Sequence, residues 1–213
     1  MAISDQRRSL LTRRVRLLVG ATISYNAVEA TIALIEGTRA SSSALIGFGL
    51  DSLVEISSAA AVAWQFSAKD PESREKTALR FIAFSFFALA CYVSVDAALA
   101  LTGLREPQPS AIGIALAAAS LVIMPALSLA QRCTGLELGS ASAVADAKQT
   151  LLCTYLSAVL LGGLLLNGVL GWSWADPVAA LGIAALAVRE GRSAWRGDPC
   201  CAQIPAEGTG ESH

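Results

Sequence analysis

Six apolar runs, each close to twenty residues or longer, divide this chain of 213 residues. They occupy about 17–36, 43–66, 79–102, 111–131, 143–170 and 174–191. About twenty apolar residues in helical form cross the ~30 Å hydrocarbon core of a bilayer. Only helices or closed barrels satisfy their backbone polar groups inside it. The expected fold is therefore an all-α integral membrane protein, a bundle of six transmembrane helices. Charged residues make up 15% of the chain, against about a quarter in soluble domains. The breaks carry turn and charge signals at 36–39, 69–76, 103–109, 132–140 and 171–174. The last is so short that runs five and six are expected to pair antiparallel. Run five exceeds what a bilayer requires, so it tilts or projects beyond it.

Lys and Arg set the orientation. Arg7, Arg8, Arg13, Arg14, Arg16, Lys69, Arg74, Lys76, Arg80, Arg132, Arg189, Arg192 and Arg196 fall on one side of the runs. Only Arg39 and Arg105 fall on the other. The positive-inside rule then puts both termini in the cytoplasm, as an even number of spans requires. Three segments follow: a basic cytoplasmic arm at 1–16, the six-helix domain at 17–191, and a tail at 192–213 too polar and short to fold alone. The first sixteen residues are too polar for a secretory signal. An Ala-rich chain with more Arg than Lys suggests a bacterial cell (inner) membrane.

Several classes of function drop out. The only histidine is His213, which removes HExxH metallopeptidases, Ser-His-Asp hydrolases and most zinc enzymes. No nucleophile and base are arranged for catalysis, so an enzyme is not expected, nor a resident cofactor. A net charge of −1 offers nothing to nucleic acid. The five cysteines are odd in number and show no CxxC spacing, so reduced thiols are the simpler reading.

Run two contains Asp51 and Glu55, four residues apart and so stacked on one helix face. Each carboxylate costs roughly 2.5–3.5 kcal/mol to insert, and an intramembrane acid is by default an ion-site hypothesis. Apart from Arg80 and Arg189 at the run ends, Lys148 is the one cation in the runs and cannot neutralise them all. Run one holds Asn26 and Glu29 on one face, with Thr22 a turn below. Run five draws a polar stripe through Asp146, Gln149, Cys153 and Ser157. Asp96 in run three is expected to hydrate at the outer interface, and Asp176 before Pro177 to cap its own helix. Lys148 is expected to snorkel to water.

These residues resemble the cation diffusion facilitator family. The stretch from Ser41 through Asp51 to Glu55 is similar to that family's second transmembrane helix, where two ligands four apart supply half of a tetrahedral metal site. The fifth helix supplies the rest: an Ala-Asp pair, a His three residues on and an Asp four beyond. Here Ala145 and Asp146 keep the pair, while Gln149 stands for the His and Cys153 for the Asp. The segment 174–177 resembles the start of the sixth helix. The family's cytoplasmic ferredoxin-like domain and its His-rich loop have no counterpart, so the resemblance is to a reduced, transmembrane-only member.

The resemblance implies a metal site made of Asp51, Glu55, Gln149 and Cys153, with Asn26, Glu29 and Asp146 along a proton or ion path. It implies efflux of Zn2+ or a similar divalent ion in exchange for H+, since an ion entering such a site displaces ligand protons. Cd2+, Co2+ and Fe2+ suit the same donors. A metal sensor, an accessory subunit or a carrier of another small cation stays open beside this. Cys200 and Cys201 follow the last run as soft donors or as an idle pair. Lipid is the surrounding partner, and a homodimer would need contacts within the membrane.

Overall fold

The structure, a computed structural model, describes residues 5–66, 72–103, 106–138 and 141–196. Among them are six helices and no strand: α1 (Asp5–Ala40), α2 (Ser43–Phe66), α3 (Glu72–Leu101), α4 (Ala111–Leu138), α5 (Ala141–Leu170) and α6 (Ala175–Arg196). Helix α1 begins well before the first apolar run, so Arg7, Arg13, Arg14 and Arg16 lie on the same helix as Asn26 and Glu29. Residues 197–213, with Cys200 and Cys201, lie outside the described residues, as do the side chains of Asp146, Lys148 and Gln149.

Five of the helices are long and apolar enough to cross a membrane. Helix α6 falls short, because its apolar stretch runs only over 177–188, between Asp176 and Arg189. Twelve residues rise about 18 Å, well under the ~30 Å needed. Contacts nevertheless hold α6 at both ends of the bundle. Ser42 at the start of α2 donates to Asp176. At the far end Arg80 of α3 lies 3.3 Å over the Trp195 ring, which also meets Phe84 edge-on. The small residues of α6 let it run alongside α3 over this height, with Gly191 against Phe87.

The helices close a ring in the order α1, α2, α3, α6, α5, α4. Helix α2 also touches α6 and, narrowly, α5. Half of its apolar span is enclosed, against 28–39% for the other four spans, so α2 is the inner helix. The enclosed faces are rich in small residues: Ala33, Ala44, Ala83, Ala97, Ala117 and Ala180 are fully buried. The outward faces carry Phe84, Val95, Val122, Leu129 and Val169. Close approach of small residues is how helices associate in lipid, where burying Leu gains nothing over leaving it in the acyl chains. At Gly163 the approach is closest, since a Cβ there would stand 2.6 Å from that of Ala179 on α6.

Exposed tryptophans mark the two ends. Trp172 and Trp174 stack at 5.4 Å beside the start of α6, and Trp64 and Trp195 lie at the other end. Indole rings favour the two membrane interfaces. From Ser43 to Trp64, α2 rises about 32 Å, close to the thickness of the hydrocarbon core. Asp51 and Glu55 lie about 12 and 18 Å along it, which puts Glu55 near the middle.

Two acids depart from expectation. Asp176 does not cap its own helix. The N–H of Ala175 already bonds to Trp172 O (2.9 Å), so the 172–175 turn starts α6. The Asp176 carboxylate instead accepts from the Ala44 N–H (3.3 Å) and from Ser42 Oγ, capping α2 across the bundle. Asp96 is not hydrated at an interface either. It is buried, and Ser43 Oγ donates to it at 2.6 Å.

Candidate metal centre

Helices α1, α2, α4 and α5 enclose a polar interior at mid-height. Its centre is Glu55, whose two carboxylate oxygens are both engaged. Asn26 Nδ2 on α1 donates to Oε2 at 2.6 Å, and the thiol of Cys153 on α5 donates to Oε1. An ionised carboxylate only accepts, so the Asn26 amide turns its Nδ2 toward it. Asn26 and Cys153 are buried, and Glu55 is partly buried. One turn away, Asp51 is 6% exposed and none of its described neighbours hydrogen-bonds it.

Glu29 forms a second, separate centre. Ser52 Oγ on α2 donates to Oε2 at 2.8 Å, and Ser120 Oγ on α4 donates to Oε1. Ser120 has one hydroxyl proton and gives it to Glu29. Tyr25, whose oxygen lies 2.7 Å from Ser120 Oγ, must therefore be the donor in that pair. The result is a hydroxyl chain from Tyr25 through Ser120 to Glu29, with no cation in contact with it among the described residues.

A third polar layer lies one turn below. Gln131 on α4 is buried, donates to Thr22 Oγ1 at 3.3 Å and accepts from Thr150 Oγ1 at 3.0 Å. It ties α1, α4 and α5 together through one amide.

Of the residues expected to bind metal, Glu55 and Cys153 are in contact and Asp51 is a turn along the same helix. The side chain of Gln149, like that of Asp146, is outside the described residues. Among the described residues no three His, Cys, Asp or Glu side chains are grouped so as to hold an ion. The stripe on α5 is also shorter than it reads. Ser157 Oγ donates to Cys153 O at 2.7 Å and so serves its own helix backbone.

Sequence reading passed over α4 entirely, and with it Ser120 and Gln131. A signal was there: Gly113, Ala117, Ser120, Met124, Ser128 and Gln131 step by four, three, four, four and three, and all are buried. Met124 apart, they draw one stripe of small or polar residues through a run of Leu, Ile and Val. Tyr25 and Ser52 adjoin named residues but carry no spacing signal of their own.

No curated protein matches the chain in sequence. The family model described as the cation efflux transmembrane domain matches residues 19–196, most of the chain and all of the polar interior. That stretch includes α6, which composition alone would not count as a span. With this match over a helical membrane bundle, the chain belongs to the cation diffusion facilitator family, as a cation-transporting integral membrane protein.

Proposed function

We propose that the protein exports a divalent transition-metal ion, Zn2+ foremost, in exchange for protons, through a site between α2 and α5. The observation that carries this is the contact of Cys153 with Glu55, because it joins a thiol and a carboxylate across those two helices. In the empty site a proton lies between sulfur and oxygen. A metal ion bound there takes its place, since thiolate and carboxylate must both be deprotonated to coordinate. Entry of metal thus releases protons, and return of protons releases metal.

Asp51 adds a second carboxylate from α2, and Gln149 an amide oxygen one helical turn from Cys153. Two carboxylates, an amide and one thiolate suit a four-coordinate Zn2+ and tolerate Cd2+, Co2+ or Fe2+. Asn26, Glu29 and Asp146 flank this set on α1 and α5 as the path for protons or ions. Helix α6 is the sixth span, both termini are cytoplasmic, and the protein resides in a bacterial inner membrane.

Proteoliposomes loaded with a Zn2+-sensitive dye and given a pH gradient test this. Wild-type protein should move Zn2+ with the gradient, and Asp51→Ala and Glu55→Gln should not. Equal traces for all three would refute transport through this site and favour a sensor or an accessory subunit.

A further inference from the structure

The described side chains include two buried polar atoms without a hydrogen-bond partner, Asn26 Oδ1 and Thr154 Oγ1. Asn26 is 3% exposed, so its carbonyl oxygen has no access to water outside the bundle. Leaving such an oxygen unpaired costs about 1–3 kcal/mol, and each such group in a folded interior calls for an explanation. The other end of the same amide is well placed, with Nδ2 2.6 Å from Glu55 Oε2. The two heteroatoms of a carboxamide are about 2.3 Å apart. Oδ1 therefore stands within about 5 Å of that carboxylate oxygen, on the helix face that meets α2.

We infer that Asn26 Oδ1 is a ligand of the transported ion, so that the site is built from three helices, α1, α2 and α5. This rests on the proposed site at Glu55 and Cys153 and deepens it. Three facts favour a ligand over a packing role. The unpaired atom is an oxygen, the donor type that Zn2+ and other borderline ions accept beside carboxylate and thiolate. It adjoins the one carboxylate already tied to the α5 thiol. Its helix partner Glu29, itself an acceptor held by Ser52 and Ser120, offers it no hydrogen bond. Nδ2 orients Glu55 while Oδ1 faces the ion, so one amide serves both. A neutral oxygen from α1 also adds a ligand without adding charge to a site already holding Asp51 and Glu55. Movement of α1 against α2 would then make or break a bond to the ion itself.

Co2+ reports this directly, because each thiolate bound to it contributes a charge-transfer band. The full chain would be purified in detergent with Cys91, Cys133, Cys200 and Cys201 replaced by Ser, leaving Cys153 as the only thiol. This parent should show a one-thiolate band with Co2+, lost in Cys153→Ser. Adding Asn26→Cys should roughly double the band, since position 26 then gives a second thiolate to the same ion. A band unchanged from the parent would overturn the inference.

Asn26→Asp gives an independent reading that does not depend on the cysteine variant folding. A ligand role predicts Co2+ affinity raised by about tenfold, because an anionic oxygen replaces a neutral one. A positioning role alone predicts weaker binding, because the donor to Glu55 is lost and a like charge is set against it. Weaker binding in that variant would overturn the inference as well. If the parent shows no thiolate band, or Glu55→Gln leaves Co2+ affinity unchanged, the site between α2 and α5 is itself wrong and the inference falls with it.

Discussion

Glu55 accepts hydrogen bonds from two other helices at once, Asn26 on α1 and Cys153 on α5. A metal ion arriving at this carboxylate competes with the thiol proton and with any proton on the acid. The sign of the pH dependence follows. At lower pH protons occupy sulfur and oxygen and metal binding weakens; at higher pH it strengthens. For each proton displaced, apparent affinity should change about tenfold per pH unit. Zn2+ titrations of the detergent-solubilised protein between about pH 5.5 and 7.5 should show a rising slope. Cys153→Ser should reduce that slope by about one proton. A flat profile would mean that neither group gives up a proton to the ion. Asp51 and Glu55 were legible in the sequence because carboxylates stand out against Leu and Ala. Ser52 was not, and Ser120 and Gln131 showed only as members of the α4 stripe, because a hydroxyl in an apolar run also serves its own helix, as Ser58 does toward Val54 O. Only the packing distinguishes the two uses.

Between elements, the less expected tie is Asp176. Helix α2 leaves N–H groups unpaired at its N-terminus, as every helix does. Here the cap comes partly from Ser42 beside it and partly from a carboxylate on α6. A single side chain therefore closes α2 and anchors the start of α6. Asp176→Ala should cost about 1–2 kcal/mol, the usual value of a helix cap, and read as a lower melting temperature in detergent. Asp176→Asn keeps one acceptor oxygen and should lose less. Val178→Ala, at an outward-facing neighbour, is the control. A melting temperature for Asp176→Ala equal to that of the control would show that the cap carries no stability. The helix ends explain how far the sequence reached. The bounds of α2 match its apolar run, 43–66, because Ser41 and Ser42 form the turn before it and Asp176 caps its first turn. Helices α1, α3 and α4 outrun theirs, because polar residues continue a helix past the point where apolarity stops. No apolar pattern reports those extensions.

At the scale of the molecule, the question is whether α6 crosses the membrane. Its composition argues against a lone span, yet Asp176 and Trp195 hold it at opposite ends of the bundle. Buried against α3, it shows lipid one face only, so its apolar requirement is smaller than that of a helix surrounded by acyl chains. Cysteine labelling decides the matter. Cys133 lies exposed at the end of α4 and Ser173 exposed in the turn between α5 and α6. They belong to opposite ends of the bundle whatever α6 does. A membrane-impermeant maleimide should label Ser173→Cys in intact cells and Cys133 only in inverted vesicles. Cys91 is exposed mid-way along α3, where lipid surrounds it, and should react from neither side. The informative variant keeps Cys201, beyond α6, and replaces Cys133, Cys153 and Cys200 by Ser. If α6 spans, Cys201 is labelled from the same side as Cys133, in inverted vesicles. Labelling of Cys201 in intact cells would leave five spans and put the two ends of the chain on opposite faces. The cap at Asp176 and the Arg80–Trp195 contact would then lie on the same side of the membrane. That is incompatible with a helix that rises about 28 Å from Asp176 to Trp195.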